Sequence, residues 1–122
     1  VNAEAASLAK KARVADLSGA TTLPEALGVL ASARLFVGND SGLAHLASAA
    51  GAPSVVVFGP TDPDATRPWD GPRPDGRPVR LALARRRTPC APCRFPVCPI
   101  DHACMTSVTA ADVLSAADAL LA

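Results

Sequence analysis

An α/β fold, a parallel sheet with flanking helices, is predicted by three features of this sequence. Segments with helical spacing of apolar residues alternate with short apolar runs, the connections between them are short, and Gly or Pro marks most of the boundaries. The 122 residues suffice for one domain and not for two. With 49% hydrophobic and 19% charged residues the composition is globular, and 3% aromatic residues leaves the core to Ala, Leu and Val.

From Ala3 to Arg13 the residues Ala5, Leu8, Ala9 and Ala12 recur at helical spacing, which predicts a surface helix with Lys10 and Lys11 near its C-terminal end. Val14 to Leu17 reads as a short strand closed by Ser18 and Gly19. Thr22, Pro24 and Glu25 make a capping box for a helix from Leu23 to Ala33 whose apolar side is Leu23, Leu27 and Leu30. Leu35 to Val37 is an apolar run of the kind buried in a parallel sheet, ended by Gly38. Asp40 or Ser41 caps the next helix, which carries Leu43, Leu46, Ala47 and Ala50 and stops at Gly51 and Pro53. Ser54 to Phe58 is a second buried strand, so strand, helix and strand form a βαβ unit. Residues 59–106 are a Pro- and Cys-rich excursion: ten of the twelve prolines lie between Gly59 and Pro99, and only Val79 to Leu83 reads as a strand there. Thr109 and Asp112 cap a closing helix over residues 109–122 with the stripe Val113, Leu114, Ala117, Leu120 and Leu121.

Several function classes are disfavoured by what the chain carries. No apolar run approaches the roughly 20 residues needed to cross a bilayer, and the N-terminal segment lacks a secretory pattern. A cytoplasmic protein is expected, or one peripheral to the inner membrane. A formal net charge of +1 gives no whole-chain attraction for nucleic acid, and no nucleic-acid partner is expected. The charge is uneven, however. Eight of the twelve basic residues fall between Arg67 and Arg94, opposed there only by Asp70 and Asp75.

The segment Asn39-Asp-Ser-Gly-Leu-Ala-His45 joins a buried strand to a helix through small and glycine residues. Free N–H groups at a helix start, a dipole worth about half a positive charge and a glycine that admits close approach together suit a phosphate. Ser41 adds a hydroxyl, and His45 lies one turn on, on the same helix face. Asp40 suits a ribose hydroxyl or is an ordinary helix cap, and from spacing alone the two readings are evenly balanced. A second loop, Gly59-Pro-Thr61, follows the adjacent strand, and open α/β sheets bind ligands at that edge.

Asn39 to His45, the following Ala-rich helix, Gly51-Ala-Pro53 and Val55 to Thr61 with its Pro-rich continuation resemble the C-terminal domain of glycosyltransferase family nine, the heptosyltransferases of lipopolysaccharide core assembly. The likeness extends back through Leu17-Ser-Gly19 and Leu23-Pro-Glu25 and forward to the cysteines and the last helix. It implies a GT-B enzyme of two Rossmann-like domains, of which residues 1–122 are part of the C-terminal, nucleotide-sugar-binding half. It also implies that Asp40, Ser41, Gly42 and His45, with Gly59 and Thr61 beside them, bind the donor ADP-heptose, and that the acceptor is a lipopolysaccharide core sugar. The resemblance further implies that the catalytic base belongs to an N-terminal domain absent from this sequence, so that no residue here is expected to be catalytic, the chain alone is expected to be inactive, and no cofactor is expected to be required.

Cys90, Cys93, Cys98 and Cys104 span fifteen residues, and the first pair has metal-ligand spacing. A structural clip, with zinc as its candidate metal, stands beside plain packing, and clustering of at least three sulfurs is expected. Arg85-Arg-Arg87, with Arg80 and Arg94, is either a solvated run or a surface facing an anionic acceptor. Trp69 lines a sugar pocket or pins a loop. Two other functions remain in view: a zinc-clipped, non-enzymatic binding module, and a nicotinamide-dependent oxidoreductase domain, the latter without the expected G-x-G-x-x-G.

Overall fold

A computed structural model of the chain describes residues 12–122. The helix expected from Ala3 lies outside that range except for its last two residues, which form a turn. Val14 to Leu17 is exposed and unpaired rather than a strand, because no neighbouring strand offers it a ladder among the described residues. Gly19, at φ +68°, makes the turn that follows.

Eight elements follow in order: helix α1 (Leu23–Ser32), strand β1 (Phe36–Asn39), helix α2 (Gly42–Ala50), strand β2 (Ser54–Phe58), short helix α3 (Pro63–Thr66), strand β3 (Leu81–Arg85), short helix α4 (Ala103–Thr106) and helix α5 (Ala110–Leu121). The strands form one parallel sheet in the order β1-β2-β3, with Val37 beside Val55 and Val55 beside Ala82. The expected α/β parallel architecture is therefore present.

Each face of β2 supports a separate cluster, as the two-residue period of a strand requires. Val56 and Phe58 pack with Ala44 of α2, joined by Phe36, Leu81 and Leu83. Val55 packs with Ala84 and Ala117, so α5 covers the other face. Val55, Val56 and Phe58 are essentially inaccessible, and burying each contributes about 1.5–3 kcal/mol. The capping boxes of α1, Thr22 with Glu25, and of α5, Thr109 with Asp112, form as expected. The C-cap Gly51 of α2 is left-handed, φ +85°, also as expected.

Four details differ from expectation. Gly38 does not end β1 but pairs with Val56, and β1 runs on to Asn39, which pairs with Val57; the Phe36 ring lies over the bare Gly38 backbone. Val37 is half exposed, since it shares a face with Val55 and α5 lies over β3 and β2 rather than β1. Strand β3 starts two residues later than Val79 and includes Arg85. The amphipathic stripes also shift. In α2 the buried side is Ala44, Ala47 and Ser48, with Leu43 exposed; in α5, Leu114 and Leu121 are exposed while Ala117 is buried; in α1, which packs on α2, nothing is fully buried. Small residues face the sheet because the helices lie close to it, and the larger leucines at the stripe margins are left outside.

Candidate functional site

The three strands end together at Asn39, Phe58 and Arg85, and the loops that leave them build one edge of the domain. At the first, Asp40 donates its N–H to the Val57 carbonyl at 3.1 Å, continuing the β1–β2 ladder by one residue, and the chain then turns into α2. Ser41, and not Asp40, is the N-cap: it is extended, and its side chain makes no capping bond. Its carbonyl accepts from Ala44 and His45. Among the described residues the amides of Ser41, Gly42 and Leu43 donate to no carbonyl, which is the ordinary condition of a helix start. The space where a side chain of residue 42 would stand is empty to 4 Å. Ser41, Gly42 and His45 are all exposed. The result is an open helix N-terminus with a hydroxyl and an imidazole beside it, the arrangement that receives an anion.

Asp40 is held from the neighbouring loop. Its Oδ2 accepts the Thr66 hydroxyl at 2.9 Å, and the same hydroxyl reaches the Asp62 carbonyl at 3.0 Å. Thr66 therefore positions the carboxylate of a candidate site residue, a role that sequence inspection missed. The available signal was Asp62-Pro63, an N-cap followed by Pro at the first helical position, which announces a short helix here.

Gly59 and Thr61 belong to the loop that leaves β2. They line an open cleft of about 390 Å³ with Asp62, Arg85, Arg87 and Thr88 among its other walls. The cleft adjoins the α2 turn without including Asp40, Ser41, Gly42 or His45. The two candidate loops thus share one sheet edge, joined through Asp40 and Thr66, and present two different surfaces.

The Cys-containing excursion folds back on this edge. Cys93 donates its N–H to the Pro60 carbonyl at 2.7 Å, and Met105 and Cys104 of α4 cover Gly59, where any side chain would run into the Met105 sulfur. All four cysteines are free: Cys104 is buried, Cys93 and Cys98 are half buried, and Cys90 is exposed with its Sγ 3.6 Å from the Thr88 hydroxyl. Among the described residues no three His, Cys, Asp or Glu side chains converge on a metal position. The excursion is instead tied down by the Pro60 carbonyl and by packing on Gly59. Trp69 lines no cleft at this edge; its ring is exposed, and its carbonyl, accepting from the buried Ser48 hydroxyl, pins the loop to α2.

The three consecutive arginines are not equivalent. Arg86 turns to the α5 face and meets Asp112, Nη2 to Oδ1 at 2.6 Å. Asp112 is held below the usual carboxylate range first by the Thr109 backbone N–H, then by the Thr109 hydroxyl and by Arg86. Arg85 and Arg87 have no carboxylate within ion-pair distance among the described residues. No helix among these residues is long and apolar enough to cross a membrane.

The model of glycosyltransferase family 9 (heptosyltransferase) matches residues 1–93. The chain is 34% identical over 110 residues to lipooligosaccharide heptosyltransferase 2 of Campylobacter jejuni subsp. jejuni, covering 89% of this chain and 32% of that relative. It is 43% identical over 53 residues to lipopolysaccharide heptosyltransferase 2 of Escherichia coli strain K12, 43% of this chain and 15% of that one. A similar stretch of 56 residues, 46% of this chain and 16% of the relative, is 43% identical in lipopolysaccharide heptosyltransferase 3 of Escherichia coli. The chain thus spans at most about a third of the length of these curated relatives. No solved structure matches it.

Proposed function

The chain belongs to glycosyltransferase family 9, and on that premise we propose that it is the nucleotide-sugar-binding part of a glycosyltransferase that moves heptose from ADP-heptose to a lipopolysaccharide core sugar. The observation that carries this reading is the open strand-to-helix turn, with the unpaired amides of Ser41 and Gly42 at the C-terminal edge of a parallel sheet. Family membership favours neither the zinc module nor the nicotinamide-dependent oxidoreductase.

In this reading the Ser41 and Gly42 amides and the Ser41 hydroxyl hold the diphosphate, and Asp40, fixed by Thr66, accepts a ribose hydroxyl. His45 adds a hydrogen bond to the same diphosphate. When the glycosyl bond breaks, negative charge grows on the departing phosphate, and preorganised amides aimed at it stabilise that charge without reorganisation. Gly59 and Thr61 border the sugar side. The acceptor hydroxyl is deprotonated by a carboxylate of the facing N-terminal domain that the family resemblance implies.

The test is ADP binding by the chain. ADP at about ten times its Kd stabilises the fold by about 1.4 kcal/mol, read as a rise in melting temperature, with the amide resonances of Ser41 and Gly42 moving in the same titration. Asp40→Ala and His45→Ala should each reduce the rise while leaving the unliganded melting temperature near that of the parent. No rise at millimolar ADP would overturn the assignment.

A further inference from the structure

We infer that the hollow where β2 and β3 begin, at the edge of the sheet opposite the α2 turn, is an anion site made by Arg73, Arg77 and Arg80 that takes a phosphate group, free or as a phosphomonoester.

The connection that carries the chain from α3 to β3 builds the site. Residues 73–77 close a tight turn: Arg73 donates its N–H to the Arg77 carbonyl at 3.3 Å, Gly76 donates to the Arg73 carbonyl at 2.9 Å, and Gly76 takes a left-handed φ of +74°. Asp75 fastens the turn, its Oδ1 accepting the Arg77 N–H at 3.0 Å and the Arg73 Nε–H at 3.3 Å. Arg73 and Arg77 both line a hollow of about 380 Å³, and Arg80, the residue before β3, lines it as well. The Arg80 carbonyl accepts from Ser54 at 2.8 Å, which fixes that backbone to the start of β2.

These guanidinium groups are short of acceptors. The end of Arg73 lies over Gly51, in the space a side chain there would fill. Its Nε is engaged by Asp75, but its Nη1 is buried without an acceptor, an uncommon state for a charged donor. Arg77 and Arg80 are exposed, and among the described residues neither meets a carboxylate within ion-pair distance.

The charge balance decides what the hollow accepts. The last turns of α1 and α2, Ala31 and Ala50 with the cap Gly51, border it, and each helix end contributes about half a negative charge. Together the two ends offset about one guanidinium, and Asp75 offsets a second. About one positive charge is left, with donor forks on separate residues. Phosphate fits that balance, since it carries one or two negative charges and its tetrahedral oxygens can be shared among several forks. A planar carboxylate is saturated by a single fork, and a nucleic acid backbone, with a charge at every step, exceeds the charge available. The hollow is larger than a phosphate ion and has room for the small organic part of an ester. The site is independent of the donor reading, because the length of β2, roughly 15 Å, separates the two sheet edges.

The experiment is an amide-resolved NMR titration of the chain, at constant ionic strength, with inorganic phosphate, glycerol 3-phosphate, acetate and, separately, ADP. Either phosphate compound should move the Gly51, Gly76 and Arg77 amides saturably at millimolar concentration and at least tenfold more tightly than acetate. The tighter of the two identifies the free ion or an ester as the natural form. Co-sedimentation with vesicles of phosphatidylcholine and phosphatidic acid, lost on mutation of the arginines, would make that ester a lipid headgroup. Arg77→Gln combined with Arg80→Gln, both at exposed positions, should weaken phosphate at least tenfold and leave the unliganded melting temperature and the ADP response of Ser41 and Gly42 unchanged. No saturable response to either phosphate compound, equal affinity for acetate, or a response that survives in the double variant would overturn the inference. Silence of Ser41 and Gly42 toward ADP, with the phosphate response of Gly76 and Arg77 intact, would remove the donor reading and leave this one standing.

Discussion

Replacing Ser41 by Asp separates the fold from the function at one atom. Ser41 occupies the N-cap of α2 without making a capping bond, and its neighbours leave the space outside the helix start open. A carboxylate there complements the helix dipole and can accept from the orphan amides, which stabilises the folded chain by about 0.3–1 kcal/mol. The same carboxylate stands where a bound diphosphate would lie. Two unit charges about 4 Å apart repel by about 1 kcal/mol at the dielectric of water and about 4 kcal/mol at a protein surface, so ADP affinity should fall at least about fivefold, since 1.4 kcal/mol is a factor of about ten. The denaturation midpoint and the ADP titration therefore move in opposite directions for Ser41→Asp, a pattern that general damage to the domain cannot produce. Unchanged ADP affinity in a stabilised variant would mean that the anion does not sit at the α2 start, and a destabilised variant would refute the dipole argument itself.

Two further perturbations test the scaffold. Gly51→Ala should destabilise the chain by at least about 1–2 kcal/mol, because φ +85° costs a side-chain-bearing residue that much and the added carbon would run into the Arg73 guanidinium. Adding Arg73→Ala should remove the collision and retain the backbone cost, and an unshifted urea midpoint for the single variant would refute both parts. Glu25 and Asp112 are held below the usual carboxylate range in the fold, each through hydrogen bonds from its helix-capping threonine, Thr22 for Glu25 and Thr109 for Asp112. A carboxylate lowered by folding contributes stability that is complete above its unfolded value, about 4, and is lost as the pH falls through the folded value. Urea midpoints should therefore be flat from pH 7 to 5 and drop below pH 4, less steeply in Asp112→Asn; equal slopes in the two proteins would refute the assignment to Asp112.

The parts of the fold legible in the sequence were those specified by neighbours along the chain. Both capping boxes depend on residues three apart, the left-handed end of α2 on Gly51, and the buried β2 on an unbroken apolar run, and each forms where the pattern puts it. What failed depends on partners distant in sequence. Val14 to Leu17 has strand composition and no strand to pair with, and Val37 has the composition of a buried residue while α5 stops short of its face. The α2 turn was readable because glycine, small polar residues and a helix start are contiguous. The Asp40–Thr66 bond, which spans twenty-six positions, and the cleft, which combines the β2 and β3 ends, have no contiguous signature. The four cysteines, spaced over fifteen residues, bring no three metal-ligand side chains onto one position among the described residues, and spacing alone carries no information on that convergence.

The scarcity of aromatic residues also bears on the site. The buried side of α2 consists of Ala44, Ala47 and Ser48, and Ala44 packs directly on Val56 and Phe58 of β2. Helix-to-sheet distance is set by side-chain size at the contact, so an alanine face brings the α2 backbone nearer the sheet than a leucine face would. That closeness keeps the first amides of α2 beside the ends of β1 and β2 instead of lifting them above the edge, and it lets the Asp40 N–H still reach the Val57 carbonyl before the helix begins. A larger residue at 44 or 47 would push the helix outward in a core that tolerates overpacking at a cost of about 1–3 kcal/mol. The displacement would appear first at the turn, because the other end of α2 is anchored by Gly51 under Arg73 and by Ser48 on the Trp69 carbonyl. The small-residue face of α2 is therefore part of what positions the proposed anion site, although its side chains face the sheet.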